Sequence, residues 1–236
     1  CSTSTPCRPT ATGAVSPTPG STATYTCPAC RAASGRLPPA AVLALWNQAY
    51  RASGDEHLAL RVAASIPPGA YRVLEYLVAC APTLGDAMAK ISAYFAWIDT
   101  SATLPVVEVD GLFGVGLEVA GPPELVPLRA VEFTFATCWA KARGLTRPGD
   151  TPARIDAAAP APRDVARLEG FFGCPLRFAA GANRMLFKRA VWEHRCPSAD
   201  PSLLIVLEQH ARTLVEAIER EPGVVGEVRR ALYAGG

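Results

Sequence analysis

The stretch from Leu168 to Phe187 constrains the fold of this chain more than any other. It reads as a helix end, a forced turn, a strand, a Gly/Asn reversal and a second strand. Gly173 can take the positive φ that closes a helix, and Pro175 fixes its own φ and cannot extend one. Leu176 and Phe178 alternate with Arg177, and Leu186 with Phe187 offers an apolar return strand after Gly181-Ala-Asn183. The expectation is a helix followed directly by a β-hairpin.

Upstream, the pattern is helical first and mixed later. Pro38 and Pro39 open a helix over 40–52 with Val42, Leu43, Trp46 and Tyr50 at helical spacing. Gly54 ends it, and Asp55 is the expected cap of a helix reaching about Ile66. An apolar helix over 71–81 follows, then one capped by Thr83 and running to about Asp99, striped by Leu84, Met88, Ile91, Phe95 and Ile98. Val106 to Asp110 and Phe113 to Val119 alternate around Gly111, the pattern of a β-hairpin. Pro122-Pro-Glu124 is expected to start a long helix carrying Leu128, Val131, Phe135, Cys138 and Trp139. A strand over 153–157, a helix over 163–172 and a final helix from Pro201 complete the reading. The fold class is α+β: N-terminal helices, then an antiparallel or mixed sheet of about five strands packed on helices, ending in a long linker helix.

Half of the 236 residues are hydrophobic and 19% are charged, enough apolar surface for a globular core. A formal net charge of +2, with basic residues thinly spread, argues against a polyanion binder, because phosphate neutralisation needs clustered Lys and Arg. No apolar run approaches the ~20 residues that span a bilayer. Residues 1–36 are rich in Ser, Thr, Pro and Ala, and such a composition buries too little surface to offset the entropy of ordering, so this tail is expected to be disordered. Cys27-Pro-Ala-Cys30 has C-x-x-C spacing but lacks a preceding strand or a second ligand pair, so no metal or cofactor is assigned. Cys80, Cys138, Cys174 and Cys196 sit among apolar or turn residues as expected buried thiols, a usage that suits a reducing cytoplasm.

Five segments, in order, resemble one family. These are the Pro-initiated helix from Arg36 to Trp46; Gly54 to Arg61 (G-D-E-H-L-A-L-R); Pro82 to Met88 (P-T-L-G-D-A-M); Phe171 to Phe178 (F-F-G-C-P-L-R-F); and Asp200 to Leu204 (D-P-S-L-L). They resemble the effector-sensing, arabinose-binding-like N-terminal domain of AraC-type bacterial transcription regulators. The resemblance implies a tail over 1–36, a sensing domain over 37–200 and a linker or dimerisation helix over 201–236. A helix-turn-helix domain that reads DNA would follow beyond this chain. It also implies a small-molecule effector and a homodimer.

Catalysis finds little support in the residues. His57, His194 and His210 lie on separate elements and none has a metal-ligand partner at i+4. Asp55 and Glu56 read as carboxylates at a helix start. A ligand pocket needs an apolar lining with a few convergent polar groups. Trp97, Arg129, Glu132 and Trp139 are the candidate ligand-lining residues, although aromatic stripes also build cores and Arg129 with Glu132 also suits a solvated i, i+3 pair. On the last helix Leu203, Leu207, Leu214 and Ile218 form a stripe that packs either on the chain's own sheet or on a second copy. An exported lipoprotein with a binding role is the alternative, suggested by Cys1-Ser2 and the Pro/Thr-rich leader.

Overall fold

The computed structural model describes residues 39–99, 101–119, 123 and 126–219, with side chains at 39–41, 43 and 214–219 left aside. The chain divides into two units, Cys1–Ala44 and Leu45–Gly236, and the sheets and the core belong to the second. Cys27 and Cys30 lie outside the described residues, as does the tail over 1–36.

Helices come first: α1 (Pro39–Ser53), α2 (Leu58–Ser65), α3 (Val73–Ala79) and α4 (Leu84–Tyr94), the last continued by a 3-10 turn over Phe95–Trp97. Strands β1 (Ala102–Thr103), β2 (Val106–Val109), β3 (Leu112–Gly116) and β4 (Glu118–Val119) precede α5 (Leu128–Ala142). Then come β5 (Arg154–Asp156), α6 (Val165–Phe172), β6 (Leu176–Arg177), β7 (Arg184–Lys188), α7 (Arg189–Trp192) and α8 (Pro201–Glu219). The main sheet has five strands in the order β2-β3-β7-β5-β6, antiparallel except for β5 beside β6, and β1 pairs with β4 in a small second ladder. This is the mixed five-strand α+β architecture that the alternating segments predict.

Local chemistry explains most of the boundaries. Asp110 and Gly111 both have positive φ (54° and 73°), the two-residue turn whose twist matches its flanking strands, so β2 and β3 pair from Val109 with Leu112 onward. The Thr83 side chain accepts from the Asp86 N–H, and Asp164 does the same for Arg167, each satisfying one orphan donor of a first turn. Gly173 closes α6 in the left-handed region at φ 71°. An alanine there would hold a strained φ with its Cβ 2.8 Å from Thr151 Cγ2. Gly173→Ala is therefore expected to lower stability by about 1–2 kcal/mol in thermal melts; an unchanged midpoint would contradict the strain argument.

Three expectations are corrected. First, Leu176–Arg177 and Arg184–Lys188 are not hairpin partners. Strand β5 lies between them, parallel to β6 and antiparallel to β7, because α6 returns the chain to the far edge of the sheet. Second, α5 starts at Leu128, not at Pro122. Pro127 holds ψ at 134° and restricts the residue before it, so helical backbone begins only after it. Third, Asp55 does not cap α2. Its carboxylate accepts from the His57 N–H at 3.0 Å, and His57 itself occupies the capping position without a side-chain bond.

One core joins the helices to one face of the sheet. Leu84, Met88, Val115, Phe135, Trp139, Leu168, Phe172, Met185 and Phe187 are its nearly sealed members. Cys80, Cys138, Cys174 and Cys196 are buried free thiols, as expected, and burial pushes the Cys138 and Cys174 thiols up to about 12. Helix α8 lies on α3 through Leu204, Leu207 and Ala211, which close over Val73 and Leu77. A Lys90–Glu208 ion pair ties α8 to α4. No helix among the described residues is long and apolar enough to cross a membrane.

Candidate functional site

The most unusual chemistry in the interior lies where α1, α2 and α5 meet. Helix α2 packs along α5, and small residues permit the close approach: Ala59 and Ala63 on α2, Ala136 on α5, all buried. At the entrance to α2 the chain turns at Gly54 to His57, placing the His57 imidazole inside at 1% exposure. On α5, one turn in, stands Glu132 at 3% exposure. His57 Nδ1 is 3.4 Å from Glu132 Oε1, and His57 Nε2 is 3.6 Å from Glu56 Oε1. The ring is thus flanked by one buried and one half-exposed carboxyl.

Neither ring nitrogen has a well-formed hydrogen bond, and Glu132 Oε2 has no partner at all. A buried carboxylate without donors is disfavoured in its charged form. Burial, reinforced by Glu56 and Asp55, pushes the Glu132 carboxyl up to about 8. Asp55 has the opposite fate: the His57 N–H leads, with Arg167 and Arg61 nearby, in holding it below the usual carboxylate range.

Helix α1 contributes the outer wall. Asn47 Oδ1 accepts from Arg129 Nη2 at 2.6 Å, and the Arg129 guanidinium lies over the Tyr50 ring at 5.6 Å. The Tyr50 hydroxyl oxygen accepts from the Ala59 N–H at 3.2 Å; burial and the neighbouring Glu132 raise its pKa to about 12. Trp46 packs edge-on against Phe133 at 5.2 Å and tilted against Tyr50 at 5.9 Å. Asn47 and Tyr50 thus answer Arg129, while Trp46 answers Phe133, across a single helix contact.

Two of the four candidate ligand residues, Arg129 and Glu132, meet in this nest. They are not the solvated pair that i, i+3 spacing also allows, since Arg129 turns to Asn47 while Glu132 turns inward to His57. Trp139 lies further along α5 at 1% exposure, tilted against Phe187 inside the core and covered by the Arg143 guanidinium. Trp97 sits elsewhere, half-buried beside Tyr94 against the Val73–Leu77–Ala211 cluster. The four therefore do not line one cavity. His57 is the residue that sequence reasoning misses. Its partner is far away along the chain, and no spacing rule reports such a contact.

Of the four stripe residues on α8, Leu207 packs inward on α3 and Leu203 is 44% exposed; the side chains of Leu214 and Ile218 lie outside the described residues. Ile205 and Val206 extend the exposed apolar surface beside Leu203. Among the described residues no cluster of three His, Cys, Asp or Glu side chains can hold a metal ion.

The fold recurs in a solved structure, that of the transcriptional regulator CdpR from Pseudomonas aeruginosa. The TM-score is 0.57 at 16% identity, over 87% of this chain and 72% of that one. No curated protein matches the chain. Residues 28–196 match the family described as the arabinose-binding domain of AraC transcription regulator, N-term, across most of the second unit, and the chain belongs to that family of regulator sensing domains.

Proposed function

We propose that this chain is the ligand-sensing and dimerising part of an AraC-type transcription regulator in the cytoplasm. In this reading a small-molecule effector binds one conformation more tightly than another. The shift in population then changes how two copies present their helix-turn-helix domains to DNA. Family membership over residues 28–196 carries the reading. The nest of Arg129, Glu132 and His57 supports it as the responsive element. A buried acid and imidazole without hydrogen-bond partners leave unsatisfied polar groups between α2 and α5, which a rearrangement of these helices could satisfy. The domain division at about residues 36 and 200 belongs to the same proposal.

Dimerisation is assigned to α8. Leu203, Ile205 and Val206 leave an apolar strip exposed, whereas Leu207 is committed to α3. Leu203→Asp is expected to convert a dimer to a monomer in sedimentation experiments, while Leu207→Asp is expected to lower the melting midpoint even of the monomer. A dimer that survives Leu203→Asp with Leu214→Asp and Ile218→Asp added would remove α8 from the interface. The sensing reading itself is tested by a thermal-shift screen of sugars, amino acids and aromatic acids. A one-site ligand at 100 times its Kd stabilises by ~2.7 kcal/mol. A full-length regulator whose operator footprint ignores every stabilising compound would overturn the reading.

A further inference from the structure

The second face of the main sheet holds a cavity that the nest does not use. Along β3, Phe113 stacks on Trp192 and Val115 enters the core, so Gly116, the next residue along, lies on the opposite face. Arg184 of β7 stands opposite Gly116, and Val107 of β2 opposite Gly114. Where the chain leaves β3 and re-enters β7, a cavity of about 390 Å³ opens, lined by Val107, Gly116, Glu118, Val119, Asn183 and Arg184 among others. That volume lies within the range of small-molecule sites.

One wall is held rigidly. Asn183 is 3% exposed, and its orientation is fixed because Oδ1 accepts from the Ala158 N–H at 2.9 Å. Only an acceptor oxygen can take that bond, so the Asn183 side chain is committed to holding the loop, and its Nδ2 is sealed from solvent without a partner. The Asn183 backbone oxygen is also used, accepting from the Leu117 N–H at 2.9 Å, which locks the loop. Among the described residues the Arg184 guanidinium meets no acid or carbonyl and Glu118 meets no base, although both border the same space.

We infer that this cavity binds a small zwitterion, a free α-amino acid in its chemistry, its carboxylate held by Arg184 and its ammonium by Glu118. A guanidinium suits a carboxylate, and Glu118 is the complement of an ammonium. Val107 and Val119 give the ligand's side chain an apolar wall. The absent side chain of Gly116 leaves room beside the strand. A neutral sugar hydrogen-bonds both groups through its hydroxyls but neutralises neither charge. As the effector site, this inference rests on the sensing reading.

The test uses the whole chain with free L-amino acids, the matching amines that lack a carboxylate, the matching acids that lack an amine, and L-arabinose as probes. At least one amino acid is expected to raise the melting midpoint, with each half-ligand binding about tenfold more weakly or worse. Arg184→Gln and Glu118→Gln are each expected to weaken amino-acid binding by about tenfold or more while leaving the ligand-free midpoint unchanged. The inference is overturned if no amino acid binds, or if binding is undiminished in both variants. Binding of L-arabinose at parental strength to both variants, with no amino acid bound, would leave the sensing reading standing and remove this site. Should none of the probes bind, this inference falls, and the operator footprint decides the sensing reading separately.

Discussion

Gly114→Ala is expected to lower stability by about 3–5 kcal/mol, beyond ordinary overpacking, because no neighbouring side chain can move aside. A Cβ built at Gly114 overlaps the carbonyl oxygen of Met185 and comes within 3.0 Å of Leu186 Cα. Both belong to β7, the middle strand of five, whose other edge is bonded to β5. To admit a methyl group, β3 must move away from β7, breaking a register that runs from Leu112–Lys188 to Gly116–Arg184. For a domain of this size a loss of that order lowers the melting midpoint by about 10 °C. Gly170 is the control. It lies inside α6 with nothing within 4 Å of a built Cβ, so Gly170→Ala is expected to be neutral or to stabilise by up to about 1 kcal/mol. Equal melting midpoints for the two variants would show that β3 and β7 do not approach so closely.

That contrast also shows where sequence reading works. Gly173 as a helix end, a hairpin around Gly111 and Thr83 as a cap are each decided by backbone and side-chain chemistry within a few residues, and all three stand as read. The tight approach at Gly114 depends on a strand that arrives some seventy positions later, and nothing local signals it. The same blindness explains the false hairpin of β6 with β7. Both strands and the Gly/Asn reversal are legible, but the insertion of β5 between them is a nonlocal choice. At the site, Arg129 and Glu132 are visible as polar residues on an apolar helix. His57 and Asn183 are not, since one resembles a helix-start residue and the other a turn residue, and only the packed structure shows that both are buried.

The second large effect concerns the nest. In the folded chain the Glu132 carboxyl titrates near 8, against 4.5 for an unburied glutamate. Between those values the folded state retains a proton that the unfolded state has released, so stability declines as pH rises through that window and levels off above about 8. The favourable contribution is complete below the unfolded value and is lost as pH passes the folded one. Each pH unit between the two values corresponds to about 1.4 kcal/mol, so the swing over the window amounts to a few kcal/mol. Glu132→Gln keeps the shape and removes the titration. It is expected to match the parent near pH 5 and to exceed it by about 2 kcal/mol or more near pH 8.5. His57→Ala acts differently. It empties space beside Glu132 and strips the buried carboxyl of its nearest polar neighbour, a loss of about 2–4 kcal/mol in mildly acidic buffer. Denaturant titrations from pH 5 to 9 separate the two variants. Parent and Glu132→Gln curves running parallel over that range would mean that Glu132 ionises as a surface carboxylate does. The nest would then be a packing contact with no proton held in reserve, and the case for it as the responsive element of the sensor would lose its physical basis.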